Sequence, residues 1–283
     1  MAATAPPERR GGTGAGSVAD ALAASADALA AAGVEAPRLD AELLLCAATG
    51  RDRAALAADP GAAVAAPEAR LFGEMVRRRL RREPVAYVLG RKGFRRLDLR
   101  ADHRALIPRP ETELLVEVAL ELGPRSVLDV GTGSGAVALA IADELSGCRV
   151  IATDTSGPAL ELARENAELT GLAGRVELRA GSVPEGEEFD LVVANLPYVA
   201  EPEWPRLAPE IARWEPREAL LAGPDGLDAF RDVIPAVRAP ALALEIGAGQ
   251  AEAVRGLMEA ADFTGIEVRR DLAGLDRVLV GRR

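Results

Sequence analysis

The chain has 283 residues, 34 of them Lys or Arg and 44 Asp or Glu, with a formal net charge of −10. That length can enclose a real active site and excludes a disulfide-stapled mini-protein, while the acidic balance excludes a protein that coats nucleic acid through phosphate neutralisation. All basic residues but Lys92 are arginine and His103 is the single histidine, so the chemistry must run on carboxylates, amides, hydroxyls and backbone.

Residues 1–16 hold Pro6, Pro7, Gly11, Gly12, Gly14 and Gly16 with little apolar content, and a disordered tail is expected. From residue 17 to 82 the pattern is helical. Ser17 is a candidate N-cap for a helix with Leu22 and Leu29 inward, closed by Gly33. A second helix opens near Pro37, with Leu39, Leu43 and Leu44 recurring until Gly50, and residues 51–58 and 67–82 supply two more. Residues 83–110 read as a hairpin linker, strand-like from Val85 to Leu106, with Gly90 and Gly93 as turn points. Residues 70–110 carry thirteen basic against four acidic side chains, a surplus of nine. This is a solvated helix face and hairpin, or a patch that steers an acidic partner through Arg77, Arg78, Arg79, Arg81 and Arg82.

Residues 111–283 alternate strand and helix. Strands are expected at 126–130, 149–153, 176–178, 189–194, 241–246, 266–269 and 278–280, and helices at 136–145 and 158–169. Such alternation predicts an α/β fold with a parallel sheet covered on both faces, and a ligand site beyond the carboxyl ends of the strands. No apolar run approaches the ~20 residues that span a bilayer, so a cytoplasmic protein with no membrane partner is expected. Cys46, Cys148 and His103 lie far apart with no CxxC or HxxxH spacing; no metal site is expected from them.

The first of these strands runs into Asp129-Val130-Gly131-Thr132-Gly133-Ser134-Gly135. Its glycines permit a tight turn and close approach of a ligand to backbone at a helix N-terminus. Asp154, at the next strand end, is placed to accept hydrogen bonds from ribose hydroxyls. These residues alone leave nicotinamide and S-adenosyl-L-methionine binding equally open. The fourth strand then enters Asn195-Leu196-Pro197-Tyr198, which resembles the Asn-Pro-Pro-Tyr signature of methyltransferases acting on planar amino groups. A delocalised nitrogen is a weak nucleophile that must be oriented by acceptors. The Asn195 side-chain oxygen can be one acceptor, the Leu196 carbonyl another, since a residue before proline is extended, and Tyr198 can stack on the planar group.

Further motifs narrow the resemblance. Pro84-x-x-Tyr87-x-x-Gly90, Phe94 and Leu106-Ile107-Pro108-Arg109-Pro110-Glu111-Thr112-Glu113 are similar to the hairpin and helix entry of the HemK/PrmC glutamine methyltransferases. So are Arg38 to Leu44, Glu215-Pro216-Arg217, Gly223-x-Asp225-Gly226-Leu227 and Glu245-Ile246-Gly247. The resemblance implies a Rossmann-like class I S-adenosylmethionine-dependent methyltransferase domain behind a small helical substrate-binding domain. It implies methylation of the glutamine side-chain amide in the Gly-Gly-Gln motif of peptide-chain release factors, without stable nucleic-acid binding. Asn195, Pro197 and Tyr198 would be catalytic, with Leu196 joining them on the substrate. The cofactor would be held by Asp129, Gly131, Thr132, Gly133, Ser134, Gly135, Asp154, Ser182, Val183 and Asn195. Two positions depart from the pattern. Leu196 replaces the first proline, a form also typical of adenine methylases of RNA, which keeps an adenine-N6 methyltransferase as the alternative. Ser182 and Val183 stand where an acidic residue and an aromatic often flank the adenine. An inert adaptor that binds a translation factor through the helical domain is the third reading.

Overall fold

The computed structural model describes residues 16–283; the tail expected over residues 1–16 lies, Gly16 apart, outside the described residues. The chain divides between Leu89 and Gly90 into two units. Among the described residues no helix is long and apolar enough to cross a membrane.

The first unit is all helical: α1 (Val18–Ala31), α2 (Pro37–Thr49), α3 (Arg53–Ala58), α4 (Ala66–Leu80) and α5 (Val85–Leu89). Ser17 caps α1 in a reciprocal box, its hydroxyl accepting from Asp20 N at 3.1 Å while the Asp20 carboxylate accepts from Ser17 N, which satisfies two otherwise orphaned donors. Leu22 and Leu29 of α1 meet Ala41, Leu44, Leu45, Phe72 and Val88 in one apolar cluster. Helix α2 is rotated from its expected face: Leu39 is 41% exposed and Leu43 only half-buried. Asp40 takes the inward place because Arg79 of α4 holds it in a buried ion pair at 2.7 Å. The arginine run is accordingly split in purpose. Arg78 grips Glu83 and the carbonyls of Tyr87 and Val88, and Arg82 donates to the Ala32 carbonyl, so Arg78, Arg79 and Arg82 belong to the fold. Arg77 and Arg81 are exposed. The strand-like reading from Val85 fails over its first residues, because Pro84 starts a helical turn whose carbonyl accepts from Tyr87 N and Val88 N.

The second unit begins with a two-stranded hairpin, β1 (Arg91–Phe94) and β2 (Leu97–Arg100), followed by α6 (Glu113–Leu122). Then come β3 (Ser126–Val130), α7 (Ala136–Glu144), β4 (Arg149–Asp154), α8 (Gly157–Leu169), β5 (Val176–Ala180), β6 (Leu191–Ala194), α9 (Pro209–Trp214) and α10 (Asp228–Val233). The chain closes with β7 (Ala241–Glu245), α11 (Ala251–Ala260), β8 (Thr264–Arg270) and β9 (Asp276–Arg282). The sheet order is β5-β4-β3-β6-β7-β9-β8. Strands β3 to β7 pair in parallel, but β9 runs antiparallel to both β7 and β8. The expected all-parallel sheet is therefore mixed. Residues 271–275, which join β8 to β9, form a tight turn around the Asp271 carboxylate, and a connection that short cannot carry the crossover a parallel neighbour requires.

Helices α6 and α7 pack on one face of the sheet, α10 and α11 on the other, around two apolar clusters. The order in which the chain adds strands reverses between β3 and β6, the topological switch point at which open α/β sheets bind ligands. Register aligns the strand ends there: Val130 lies opposite Thr153 on one side and Ala194 on the other. The loops beginning at Gly131 and Asn195 thus open into the same space.

Candidate active site

The space beyond these strand ends is a cleft of about 420 Å³, lined by Asp129, Gly131 to Ser134, Asp154, Ser182 and Asn195 to Pro197 among others. Such a volume lies within the ~300–1,000 Å³ of small-molecule sites. Gly131, Gly133 and Gly135 have φ of 72°, 57° and 84°, values that side chains strongly disfavour. Gly131 N and Thr132 N both donate to the Thr153 carbonyl at 2.9 Å, which ties the loop to β4. Gly135 N-caps α7, and a Cβ there would sit 3.2 Å from Ala163 of α8 and from Leu139, so helix packing adds to the need for glycine that its φ already sets.

Three carboxylates border this half of the cleft in different states. Asp154 is half-buried and accepts from Gly133 N and Ser156 N, at 2.8 Å each. Asp129 is 2% exposed, accepts from the Thr132 hydroxyl at 2.6 Å and from Ala138 N at 3.2 Å, and burial pushes its carboxyl up to about 7 despite these bonds. Asp232 is exposed at the rim. Arg104 and Arg109 also line the cleft, but Arg104 is neutralised by Asp102 and Glu165, and Arg109 by Glu215. Among the described residues Asp154, Glu218 and Asp232 have no such arginine partner, so the lining favours a cationic ligand.

The other half is built around the Asn195 loop. Asn195 is half-buried, its Nδ2 donating to Thr112 Oγ1 at 3.1 Å. Leu196 is 4% exposed in the apolar cluster beneath the cleft. Pro197 lines the cleft; Tyr198 and Val183 pack against the same cluster, and Ser182 is exposed. Burial, reinforced by the Glu245 charge, pushes the Tyr198 phenol up to about 12.

Residues that sequence reasoning left without a role shape this half. Gln250 bridges three loops: its Oε1 accepts from Gly247 N at 2.9 Å, and its Nε2 donates to the carbonyls of Tyr198 at 3.0 Å and Gly226 at 3.2 Å. A Cβ at Gly226 would stand 2.4 Å from the Tyr198 carbonyl, so this glycine is required by close approach. The Glu215 carboxylate accepts from Ile107 N at 3.0 Å and binds Arg109, anchoring the cleft wall. Thr112, which lines the cleft and accepts from Asn195, and Glu245 are both buried. Glu215, Thr112 and Glu245 stood inside motifs noted above, but only as parts of a resemblance; Gln250 carried no signal. Among the described residues no cluster of His, Cys, Asp or Glu could hold a metal.

The profile of the PrmC N-terminal domain matches residues 20–90, and that of a methyltransferase domain residues 127–215. The release factor glutamine methyltransferase of Xylella fastidiosa (strain Temecula1) is 45% identical over 90% of this chain and 96% of its own. That of Cereibacter sphaeroides is 42% identical over 93% and 98%, and that of Caulobacter vibrioides 38% identical over 91% and 93%. Among solved structures, the hMettl16 catalytic domain in complex with an RNA hairpin superposes with a TM-score of 0.57 at 15% identity, covering 78% of this chain and 84% of its own, which shows a shared fold. Identity of this order along nearly the whole length of both chains places the protein in the release factor glutamine methyltransferase family.

Proposed function

We propose that the cleft binds S-adenosyl-L-methionine and that the Asn195 loop presents the side-chain amide of the Gly-Gly-Gln glutamine of a peptide-chain release factor for methylation. The residues present fit that cofactor. Glycines at 131 and 133 leave bare backbone at the cleft wall. The Asp154 carboxylate accepts only two N–H groups of the roughly four it can take, which leaves capacity for a pair of ribose hydroxyls. The excess of unpaired carboxylates suits a sulfonium and an ammonium. When bound, the cofactor supplies a methyl group on a cationic sulfur, open to in-line attack.

The chain's own residues supply orientation. A glutamine amide shares its lone pair with its carbonyl, so attack requires the nitrogen to be held with that pair directed at the methyl. Asn195 Oδ1 and the Leu196 carbonyl act as two acceptors for the two amide N–H groups, fixing the nitrogen within the cleft. Tyr198, with its phenol kept protonated by burial, offers a neutral planar face to the amide. Alignment of this kind supplies on the order of 7 to 11 kcal/mol. No strong base is required, because the nitrogen becomes acidic once alkylated and loses its proton to water.

The observation that carries this reading is the convergence of the Asn195 loop and the Gly131 to Ser134 loop on one cleft at the switch point. The test is incubation of the full chain with labelled S-adenosylmethionine and a release factor, followed by mass spectrometry of tryptic peptides. One methyl group on the glutamine of Gly-Gly-Gln is expected. Label in RNA adenine, or none in the release factor, would overturn the proposal.

A further inference from the structure

A cleft that takes a sulfonium and an ammonium has two arginines in its own wall, Arg104 and Arg109. Arg104 faces the carboxylates of both Asp102 and Glu165. Arg109 has one ion-pair partner among the described residues, Glu215, which directly follows α9; the Glu215 side chain is 1% exposed and that of Arg109 31%. We propose that Glu215 is a specificity-determining residue: by neutralising Arg109 it lets the cleft favour S-adenosylmethionine, with its cationic sulfur, over the product S-adenosylhomocysteine, whose sulfur is uncharged. The role rests on the reading of the cleft as the cofactor site.

The two oxygens of Glu215 have separate tasks. Oε2 accepts from Ile107 N at 3.0 Å, and Oε1 binds the Arg109 guanidinium. The first bond fixes the backbone of the wall, and a neutral amide oxygen would serve for it equally well. The second cancels a charge, which only an anion can do. Pro216, Glu218 and Ala219, next along the chain, line the cleft as well, so the pair stands where two stretches of wall meet, and its charge balance acts within the cleft.

Cofactor and product differ by one methyl group and one positive charge at sulfur; adenine, ribose, ammonium and carboxylate are common to both. A guanidinium left without its partner would repel the sulfonium and have no such effect on the thioether, while its influence on the shared groups cancels in the ratio of the two affinities. Removing Arg109 instead would leave a buried carboxylate without its cation, and the sign of the effect would reverse. At the effective dielectric of a partly hydrated site, one uncompensated unit charge changes that ratio by a factor of about five.

The test is titration calorimetry of the full chain with S-adenosylmethionine and, separately, with S-adenosylhomocysteine, for wild type, Glu215→Gln, Arg109→Gln and the double variant. Glu215→Gln keeps an oxygen for Ile107 N and uncovers the Arg109 charge, so affinity for S-adenosylmethionine should fall about fivefold relative to that for S-adenosylhomocysteine. Arg109→Gln should move the ratio about as far in the opposite direction, and the double variant should return it to within about twofold of wild type. A purely structural role for the pair would change both affinities together and leave the ratio where it was. If Glu215→Gln does not fold, Arg109→Gln decides by the sign of its shift. A ratio unmoved in the single variants, or moved the same way by both, overturns the proposal and leaves the cofactor reading standing. A wild-type chain that binds neither compound overturns the cofactor reading, and the proposal with it.

Discussion

The two halves of the cleft are made in different ways. The half at the ends of β3 and β4 is a local construction: the Gly131 to Gly135 turn follows directly from its strand, and its ties run to Thr153 and Asp154 on the neighbouring strand. The half around Asn195 is assembled from groups distant in sequence, with Thr112 83 residues away and Gln250 52 residues from Tyr198. A local turn needs only the right backbone freedom to form, whereas a side-chain network forms only after the sheet has brought its members together. Damage to the first half should weaken binding of the cofactor, and damage to the second should slow the chemistry.

The largest effect expected is that of Asn195→Ala, which should lower kcat by roughly a hundredfold or more, the order found on removing one preorganised partner of a transition state. Cofactor affinity should change far less. Steady-state kinetics with a release factor decides it, and near-normal turnover would mean that the second half of the cleft does not orient the substrate.

Asp154→Ala strikes the first half. It should weaken S-adenosylmethionine binding by about 1.5 to 3 kcal/mol, the scale of lost hydrogen bonds to a charged acceptor. Titration calorimetry that finds unchanged affinity would remove Asp154 from the site.

Gln250→Ala removes three hydrogen bonds to the backbone of the second half and should cost about 2 kcal/mol of stability, with kcat lowered more than cofactor affinity. Urea denaturation beside calorimetry checks the pairing; a loss of cofactor affinity matching the loss of kcat would erase the distinction between halves.

Asp129 offers a pH test of the first half. Its folded carboxyl sits at about 7 against an ordinary 3.8, so the unfolded chain releases this proton first. The group's contribution to stability is fully present below about pH 4 and is lost as pH rises toward 7. Asp129→Asn lacks that loss, so between pH 5 and 7 its stability should gain on wild type by no more than ~1.4 kcal/mol per pH unit. Parallel denaturation curves across that range would show that Asp129 is ionised in the fold.

Leu196→Pro should matter least to turnover. The Leu196 carbonyl survives the change and the side chain lies in the apolar cluster below the cleft, so kcat on a Gly-Gly-Gln substrate should stay within a few-fold, with a lowered melting temperature from lost packing. Abolished turnover would instead make the leucine a specificity device and return weight to an adenine substrate.

Much of the framework was legible because it depends on periodicity and backbone freedom. The core of every strand in the main sheet, and the glycine turn, follow from apolar runs and from residues that tolerate positive φ. The second helix shows where this stops: Leu39 has the right period yet faces outward, since Arg79, remote in sequence, draws Asp40 inward. The antiparallel strand β9, inserted between β7 and β8, was readable in principle from the short 271–275 connection, but strand runs alone carry no direction.

Within the site the same line separates the halves. Asp129, the glycines, Asp154 and the Asn195 tetrapeptide could be found in the sequence because each sits at the end of a strand or directly after it, where the fold class places ligands. What Glu215, Glu245 and Gln250 do could not, because a glutamate or glutamine is polar in any context and acquires a task only from what it faces. Glu245 shares its strand with four buried apolar residues; only the pairing of β6 with β7, which sets Ala194 opposite Leu244, brings this buried carboxylate beside the Asn195 loop.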